Sequence, residues 1–176
     1  MPVVFDSSFL IPLLDPKVKG EGDIDVRLDF LVRSLEKAHQ KIIVPTPALC
    51  EVLIGASDAA PRYLDIINRS SRFKVVPFGA RAAVEAAAAH REALRAGDKK
   101  EGTASWLKVK FDRQIVAIAK VEGATVIYSN DDDIRRFSAR DNLEVINLEG
   151  LPFPPETQQG EFSLIDSPGA KDSERT

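Results

Sequence analysis

Four acidic residues lie far apart in this chain, and each stands close to a point where a predicted strand gives way to a helix. They are Asp6 in VVFDSSFL, Glu51 in PALCEVL, Asp112 in KFDRQIVAIA and Asp131 in VIYSNDDDI. In an open parallel sheet, ligands bind outside the carboxyl ends of the strands. If the chain folds in this way, the four carboxylates converge on one edge, where they repel one another unless a cation lies between them. The spacing therefore predicts a metal site.

The residue types favour a hard cation at this edge. Mg²⁺ and Mn²⁺ prefer carboxylate oxygens and water, and they usually leave coordination positions open for a substrate phosphate. The chain has one cysteine, Cys50, and two histidines, His39 and His90, which lie on polar faces of predicted helices where surface positions are expected. Zinc, which takes nitrogen and sulfur ligands, is therefore disfavoured.

Each acid also has a structural explanation. Asp112 and Asp131 are predicted at or near helix N-termini, where a carboxylate can cap the helix and interact favourably with its dipole. Either residue can therefore be a cap, a metal ligand or both. Asp6 and Glu51 stand between apolar residues, so we expect both to be partly buried. Because burying an unpaired carboxylate is costly, these two acids are harder to explain without a function.

Strands and helices alternate along the predicted structure. The strands are predicted at residues 3–5, 42–44, 73–78, 125–128 and 143–146. The helices are predicted at residues 7–14, 24–39, 47–55, 61–70, 81–95, 111–121 and 131–137, and residues 98–109 form a polar, lysine-rich connection. The apolar strands lack clean alternation, which is typical of burial on both faces. The predicted fold class is α/β, with right-handed crossovers and a parallel sheet between two layers of helices.

The chain length and composition indicate one folded domain with an appendage. The 176 residues are enough for a single domain with a substantial core. We expect the domain to cover residues 1–151 and residues 152–176, which are polar and rich in proline and glycine, to form an extended or disordered tail with an apolar patch at 162–165. The N-terminus lacks the basic start of a signal peptide, and no apolar stretch approaches a membrane span, so we expect a cytoplasmic protein.

The charge distribution is more informative than the net charge. A net charge of −3 argues against non-specific coating of nucleic acid. Residues 72–120, however, carry eleven basic and five acidic groups, a net of +6. A basic segment beside an acidic cluster suits a polyanion that is cut at a metal site, although solvated helix faces explain the same charges equally well.

Four segments carry a resemblance to a known family. They are Phe5-Asp6-Ser7-Ser8, Cys50-Glu51-Val52-Leu53, Phe111-Asp112-Arg113-Gln114-Ile115 and Ser129-Asn130-Asp131. In this order, the chain resembles the PIN-domain family of metal-dependent ribonucleases, which includes the VapC-type toxins of bacterial toxin–antitoxin pairs. The resemblance implies a three-layer α/β/α fold with a five-stranded parallel sheet in the order 3-2-1-4-5. It also implies Mg²⁺ or Mn²⁺ and hydrolysis of RNA phosphodiesters.

The resemblance assigns roles to individual residues. It implies that Asp6, Glu51, Asp112 and Asp131 are the catalytic, metal-binding acids. Ser8 and Ser129 match supporting polar positions of the family, and Asp133 matches a further acid that is sometimes present, whereas Asp132 is expected to face solvent. The family also implies an antitoxin protein as a possible partner, and a homodimer.

The chain departs from a compact toxin of this family in its lysine-rich connection and its tail, and both weaken the toxin assignment more than the nuclease assignment. The basic residues around the connection can contact RNA phosphates or form a solvated loop; they are Lys99, Lys100, Lys108, Lys110 and Arg113. The alternatives are a stand-alone RNA-processing nuclease and a non-catalytic PIN-like binding module. Other aspartate-based phosphoryl enzymes fit poorly, because Ser8 fills the place of a second aspartate after the first strand.

Overall fold

A computed structural model of the chain describes residues 1–15, 17–18, 22–98, 102 and 104–155. Five strands form the sheet: β1 (Val3–Phe5), β2 (Ile42–Pro45), β3 (Phe73–Val76), β4 (Val126–Tyr128) and β5 (Glu144–Ile146). Seven α-helices are present among the described residues: α1 (Ser7–Leu14), α2 (Asp23–Lys37), α3 (Thr46–Ala56), α4 (Ala60–Arg69), α5 (Ala80–Arg95), α6 (Trp106–Val121) and α7 (Asp132–Ser138). Short 3₁₀ segments lie at Ser57–Ala59, Ala139–Asp141 and Leu148–Gly150.

The sheet is parallel throughout and has the strand order β3-β2-β1-β4-β5, which confirms the predicted order. The central strand β1 pairs with both neighbours, with Val3 opposite Ile42 on one side and Val126 on the other. Val4 and Phe5 point to opposite faces of the sheet, and each is 0% exposed. Helices therefore cover both faces, as the predicted three-layer α/β/α class requires.

The strand order brings the end of β1 next to the end of β4. Phe5 is paired with Tyr128, and the backbone N–H of Asp6 donates to the carbonyl of Tyr128 at 3.1 Å. Beneath this point, the rings of Phe5, Phe9 and Tyr128 pack with centroids 5.2 to 5.6 Å apart. This aromatic cluster supports the end of β1, which Asp6 directly follows.

Helix α6 begins earlier than the sequence predicted. We expected the helix from residue 111, but it starts at Trp106, and the Ser105 hydroxyl accepts a hydrogen bond from the N–H of Lys108 at 3.2 Å. A serine side chain in this position satisfies one of the free N–H groups of the first turn, so the lysine-rich segment from residue 106 is helical. Asp112 therefore lies in the second turn and not at the start of the helix.

The segment after β5 is attached to α2. The guanidinium of Arg27 donates to the carbonyls of Glu149 at 2.7 Å and Leu151 at 3.3 Å, and it lies 3.7 Å over the ring of Phe153. Residues 156–176, including the predicted patch at 162–165, lie outside the described residues, so the domain boundary at 151 stays a prediction. Within the described part of the chain, no helix combines the length and apolarity needed to cross a membrane.

Candidate metal centre

Asp6 lies directly after β1 and is held by serine hydroxyls. Its carboxylate accepts hydrogen bonds from Ser129 at 2.9 Å and from Ser8 at 3.3 Å, and the Ser7 hydroxyl lies 3.5 Å away. Only 4% of the residue is exposed. Burial raises the pKa of this carboxyl, while the hydrogen bonds from Ser129, the Ser7 backbone and Ser8 oppose the rise. The predicted burial of Asp6 is confirmed, and its donors are neutral.

The predicted supporting residues Ser8 and Ser129 connect α1 to the loop after β4. Ser129 is fully buried, and its hydroxyl also accepts a hydrogen bond from the N–H of Asp131 at 3.0 Å. The hydroxyl of Ser8 accepts one from the N–H of Asn130 at 3.0 Å. Each serine therefore orients the Asp6 carboxylate and at the same time fixes the backbone that carries Asp131.

Asp112 approaches the same edge from α6 and is 4% exposed. It is the seventh residue of the helix, so the explanation of Asp112 as a helix cap is wrong. Burial raises the pKa of its carboxyl to about 6, against the opposing hydrogen bond and charge of Lys108, and the charges of Asp131 and Asp6 add to the rise. Asp112 is therefore a buried carboxylate in the body of a helix, beside other carboxylates and paired with Lys108.

Asp131 is a helix cap, one of the roles that the sequence left open, and it also lies among other carboxylates. It is the N-cap of α7, where its side chain accepts a hydrogen bond from the N–H of Asp133 at 2.7 Å. It also joins Asp112 and Asp133 in a group in which one carboxylate oxygen from each residue lies within 4.8 Å of the other two. Asp133, which the resemblance matched to a further acid, lies in this group and forms an ion pair with Arg136. The side chain of Asp132 is 99% exposed, as expected.

Glu51 lies at the solvent-facing rim of the edge. We expected it to be partly buried between its apolar neighbours, but it is exposed, because it lies on the outer surface of α3 while Leu49 and Val52 point to the core. Its carboxylate accepts a hydrogen bond from the Ser7 hydroxyl at 2.6 Å, and the same hydroxyl lies 3.5 Å from Asp6. Ser7, which the sequence analysis did not single out, therefore links Glu51 to the buried acids.

The cation within the acidic group is a lysine of the chain itself. The Lys108 ammonium lies 2.8 Å from Asp112, 2.6 Å from Asp131 and 2.8 Å from Asp133. Burial lowers the pKa of Lys108, but the hydrogen bonds and charges of Asp112 and Asp131 outweigh it and raise the pKa overall. The sequence analysis proposed a phosphate contact for Lys108 and missed this position, which the spacing of four residues between Lys108 and Asp112 on one helix could have indicated.

The other basic residues near the site have different surroundings. Lys110 is exposed, with its ammonium 5.3 Å from the ring centre of Trp106. Arg113, proposed as an RNA contact, is only 3% exposed and lies 4.9 Å over the ring of Phe137, so its charge is not offered to a phosphate in this structure. His90 was predicted to be a surface residue, but it is half-buried against Trp106 and Arg113. Lys99 and Lys100 lie outside the described residues.

The donors at this edge fit a hard divalent cation. Asp112, Asp131 and Asp133 present carboxylate oxygens to one point, Asp6 lies close enough for its charge to act on Asp112, and a cationic group already lies among them. Oxygen donors of this kind suit Mg²⁺ or Mn²⁺. The residues present therefore fit the metal that the resemblance implied.

The family model of the PIN domain matches residues 3–140, and the chain therefore belongs to the PIN domain family. The match covers the whole region from β1 to the end of α7, including each of the acids described above. A comparison with curated proteins gave no match. The predicted family is thus confirmed.

Solved structures with the same fold include toxins of this family. VapBC2 from Rickettsia felis bound to a promoter DNA fragment matches with a TM-score of 0.60 and 18% identity, covering 84% of this chain and 98% of that one. DNA-bound VapBC from Salmonella typhimurium matches with a TM-score of 0.57 and 19% identity, covering 84% and 98%. Mycobacterium tuberculosis VapC20, a Sarcin-Ricin loop cleaving toxin, has a TM-score of 0.53 and 18% identity, covering 76% and 93%. At these identities, the likeness establishes a shared fold.

Proposed function

We propose that this protein is a divalent-metal-dependent endoribonuclease that acts in the cytoplasm, with Asp6, Asp112 and Asp131 as its main metal ligands. The observation that carries the proposal is the convergence of these three acids at the carboxyl ends of β1 and β4, where Asp112 and Asp131 share the Lys108 ammonium and the buried Asp6 lies close enough for its charge to act on Asp112. Bound Mg²⁺ or Mn²⁺ would supply polarisation of the substrate phosphate and activation of a water. Glu51 and Asp133 would complete the acidic site.

The chain's own residues prepare this site. Ser129 and Ser8 hold the Asp6 carboxylate in one orientation, and the cap of α7 does the same for Asp131. Holding ligands in place before the reaction avoids the cost of ordering them when substrate binds. Lys110 is exposed on α6 two residues before Asp112, and its charge can attract the RNA backbone.

The test is cleavage of RNA by purified protein with Mg²⁺, with Mn²⁺ or with EDTA. We expect cleavage only with metal, and a loss of about 100-fold or more, equivalent to about 2.7 kcal/mol of barrier, in Asp6→Asn and Asp112→Asn. Asp132→Asn is the matched control, because it removes a neighbouring carboxylate that is 99% exposed. Equal cleavage by the three variants would place the activity elsewhere or in a contaminant.

The finer proposal is that the protein is the toxin of a toxin–antitoxin pair. Its support is that the structures named VapBC share the fold and that VapC20, which shares it as well, is described as a Sarcin-Ricin loop cleaving toxin. We expect a small adjacent gene that encodes a DNA-binding protein. Co-expression of that protein should relieve the growth arrest that this protein causes when it is expressed alone. Without such a gene, a stand-alone RNA-processing nuclease becomes the better account. A homodimer is proposed on the family resemblance, and the mass in solution tests it.

A further inference from the structure

Three carboxylates hold the Lys108 ammonium at once. The distances from Nζ to Asp112, Asp131 and Asp133 are 2.8, 2.6 and 2.8 Å. An ammonium has three N–H donors, so the three acids use all of them. Lys108 is therefore placed as the counter-cation of the acidic group and not as a side chain that extends freely into solvent.

A divalent ion and this ammonium exclude each other. The oxygens of Asp112, Asp131 and Asp133 lie within 4.8 Å of one another, which leaves room among them for one cation. Metal–oxygen distances of about 2.0–2.2 Å would put a bound Mg²⁺ or Mn²⁺ where Nζ now lies. Two cations at such a distance would also repel each other.

The lysine can leave the group without disturbing the helix. Its side chain is 41% exposed, whereas that of Asp112 is 6% exposed, so the stem approaches the acids from the solvent side. Four rotatable methylene groups let the ammonium move away while the backbone of α6 stays in place. The acids, by contrast, are fixed by the serines, the helix cap and burial.

We propose that Lys108 is a tethered competitor of the metal, which holds the acidic group together when the site is empty and sets the affinity of the site for a divalent cation. The inference rests on the proposed metal site and names its regulation. Metal must displace the ammonium, so the apparent dissociation constant is higher than that of the acids alone. If the ammonium fills the group about nine-tenths of the time, the constant is raised about tenfold.

The test is a calorimetric titration of Mn²⁺ into metal-stripped full-length protein. Lys108→Met should bind Mn²⁺ about tenfold more tightly than wild type, because the competing cation is gone. Lys110→Met is the matched control: it removes the same charge from the same helix, but that lysine lies over Trp106 and not among the acids. We expect its affinity to stay within about threefold of wild type, the change that a nearby screened charge gives.

Thermal unfolding separates competition from a merely structural role. In EDTA, Lys108→Met should melt below wild type, because its acids lack any cation. With saturating Mn²⁺, the two proteins should melt at the same temperature. A structural lysine would instead give the same deficit in both conditions. Lys108→Gln keeps a polar side chain without the charge and should also bind Mn²⁺ more tightly than wild type. It keeps the inference testable if Lys108→Met does not fold.

Two results would overturn the inference, and they have different consequences for the proposed metal site. If wild type binds Mn²⁺ and the two Lys108 variants bind it no more tightly than Lys110→Met, Lys108 is not a competitor, but the metal site stands. If neither wild type nor the Lys108 variants bind Mn²⁺, the competitor role and the proposed metal-dependent function fall together.

Discussion

Asp6 and Asp112 are equally buried carboxylates at one edge of the sheet, but different kinds of group hold them. On the serine side, formed by Asp6, Ser8 and Ser129, the donors are neutral hydroxyls. On the lysine side, formed by Asp112, Asp131, Asp133 and Lys108, the donor is the ammonium of a side chain that is 41% exposed. Hydroxyls tied to the backbone fix an acid in position permanently, whereas an ammonium can be exchanged for another cation. In the proposed metal site, the serine side would provide geometry and the lysine side the exchangeable charge.

The largest expected effect is the dependence of metal-free stability on pH. Burial raises the pKa of Asp112 to about 6 from the ordinary value of 3.8, so the folded protein holds a proton that the unfolded chain loses. In EDTA, the free energy of unfolding should therefore fall as the pH rises from about 4 to about 6, by up to about 3 kcal/mol. Asp6, whose pKa is raised as well, changes stability in the same direction.

Chemical denaturation across this pH range checks the prediction, and Asp112→Asn isolates the lysine side. The variant should show a much shallower decline, leaving the part that belongs to Asp6. Saturating Mn²⁺ should reverse the trend, because metal binds the ionised carboxylates. A metal-free stability that rises over this range would mean that the Lys108 ion pairs outweigh the burial of the acids.

The serine side should depend much less on metal. Ser129→Ala removes a hydrogen bond to the buried Asp6 carboxylate and leaves the N–H of Asp131 without that acceptor. We expect a loss of about 2 kcal/mol in the free energy of unfolding, with and without Mn²⁺. Ser138→Ala is the control, since the buried Ser138 hydroxyl has no hydrogen-bond partner among the described residues. Equal losses in the two variants would show that volume, and not the bond to Asp6, matters.

Ser8→Ala should have a smaller effect than Ser129→Ala. Ser8 is half-buried, and its hydroxyl lies farther from Asp6, at 3.3 Å as against 2.9 Å for Ser129. We expect a loss of about 1 kcal/mol in the free energy of unfolding. Urea denaturation of both variants in one buffer gives the ranking, and a larger loss for Ser8→Ala would reverse the assigned importance of the two serines.

The sequence predicted the sheet and the converging acids better than it predicted the surroundings of individual side chains. Strand order came from the family resemblance, and Asp6 and Asp131 follow apolar strands that are easy to recognise. Arg113 was predicted to contact RNA because a charged residue is usually exposed. In the structure, however, α6 is buried over a wide face that includes Asp112, Arg113 and Val116. Lys108 was misplaced because its partners come from α7 as well as α6, and that contact depends on the tertiary fold.

The smallest expected effect on stability concerns Glu51. It is exposed at the rim, and glutamine can still accept the hydrogen bond from Ser7. Glu51→Gln should therefore change the free energy of unfolding by less than about 0.5 kcal/mol. Its RNA cleavage should nevertheless fall if Glu51 completes the acidic site. If Glu51→Gln cleaves RNA as fast as wild type, Glu51 is not part of the acidic site. The site then consists of the serine side and the lysine side alone.

The central claim is that the serine and lysine sides together form a divalent-cation site, and a crystal structure grown with Mn²⁺ tests it most directly. The account predicts an anomalous density peak among Asp6, Asp112 and Asp131, with the Lys108 ammonium withdrawn from the acids towards solvent. Density that shows the Lys108 ammonium still among Asp112, Asp131 and Asp133 at saturating Mn²⁺, with no peak beside them, would contradict it.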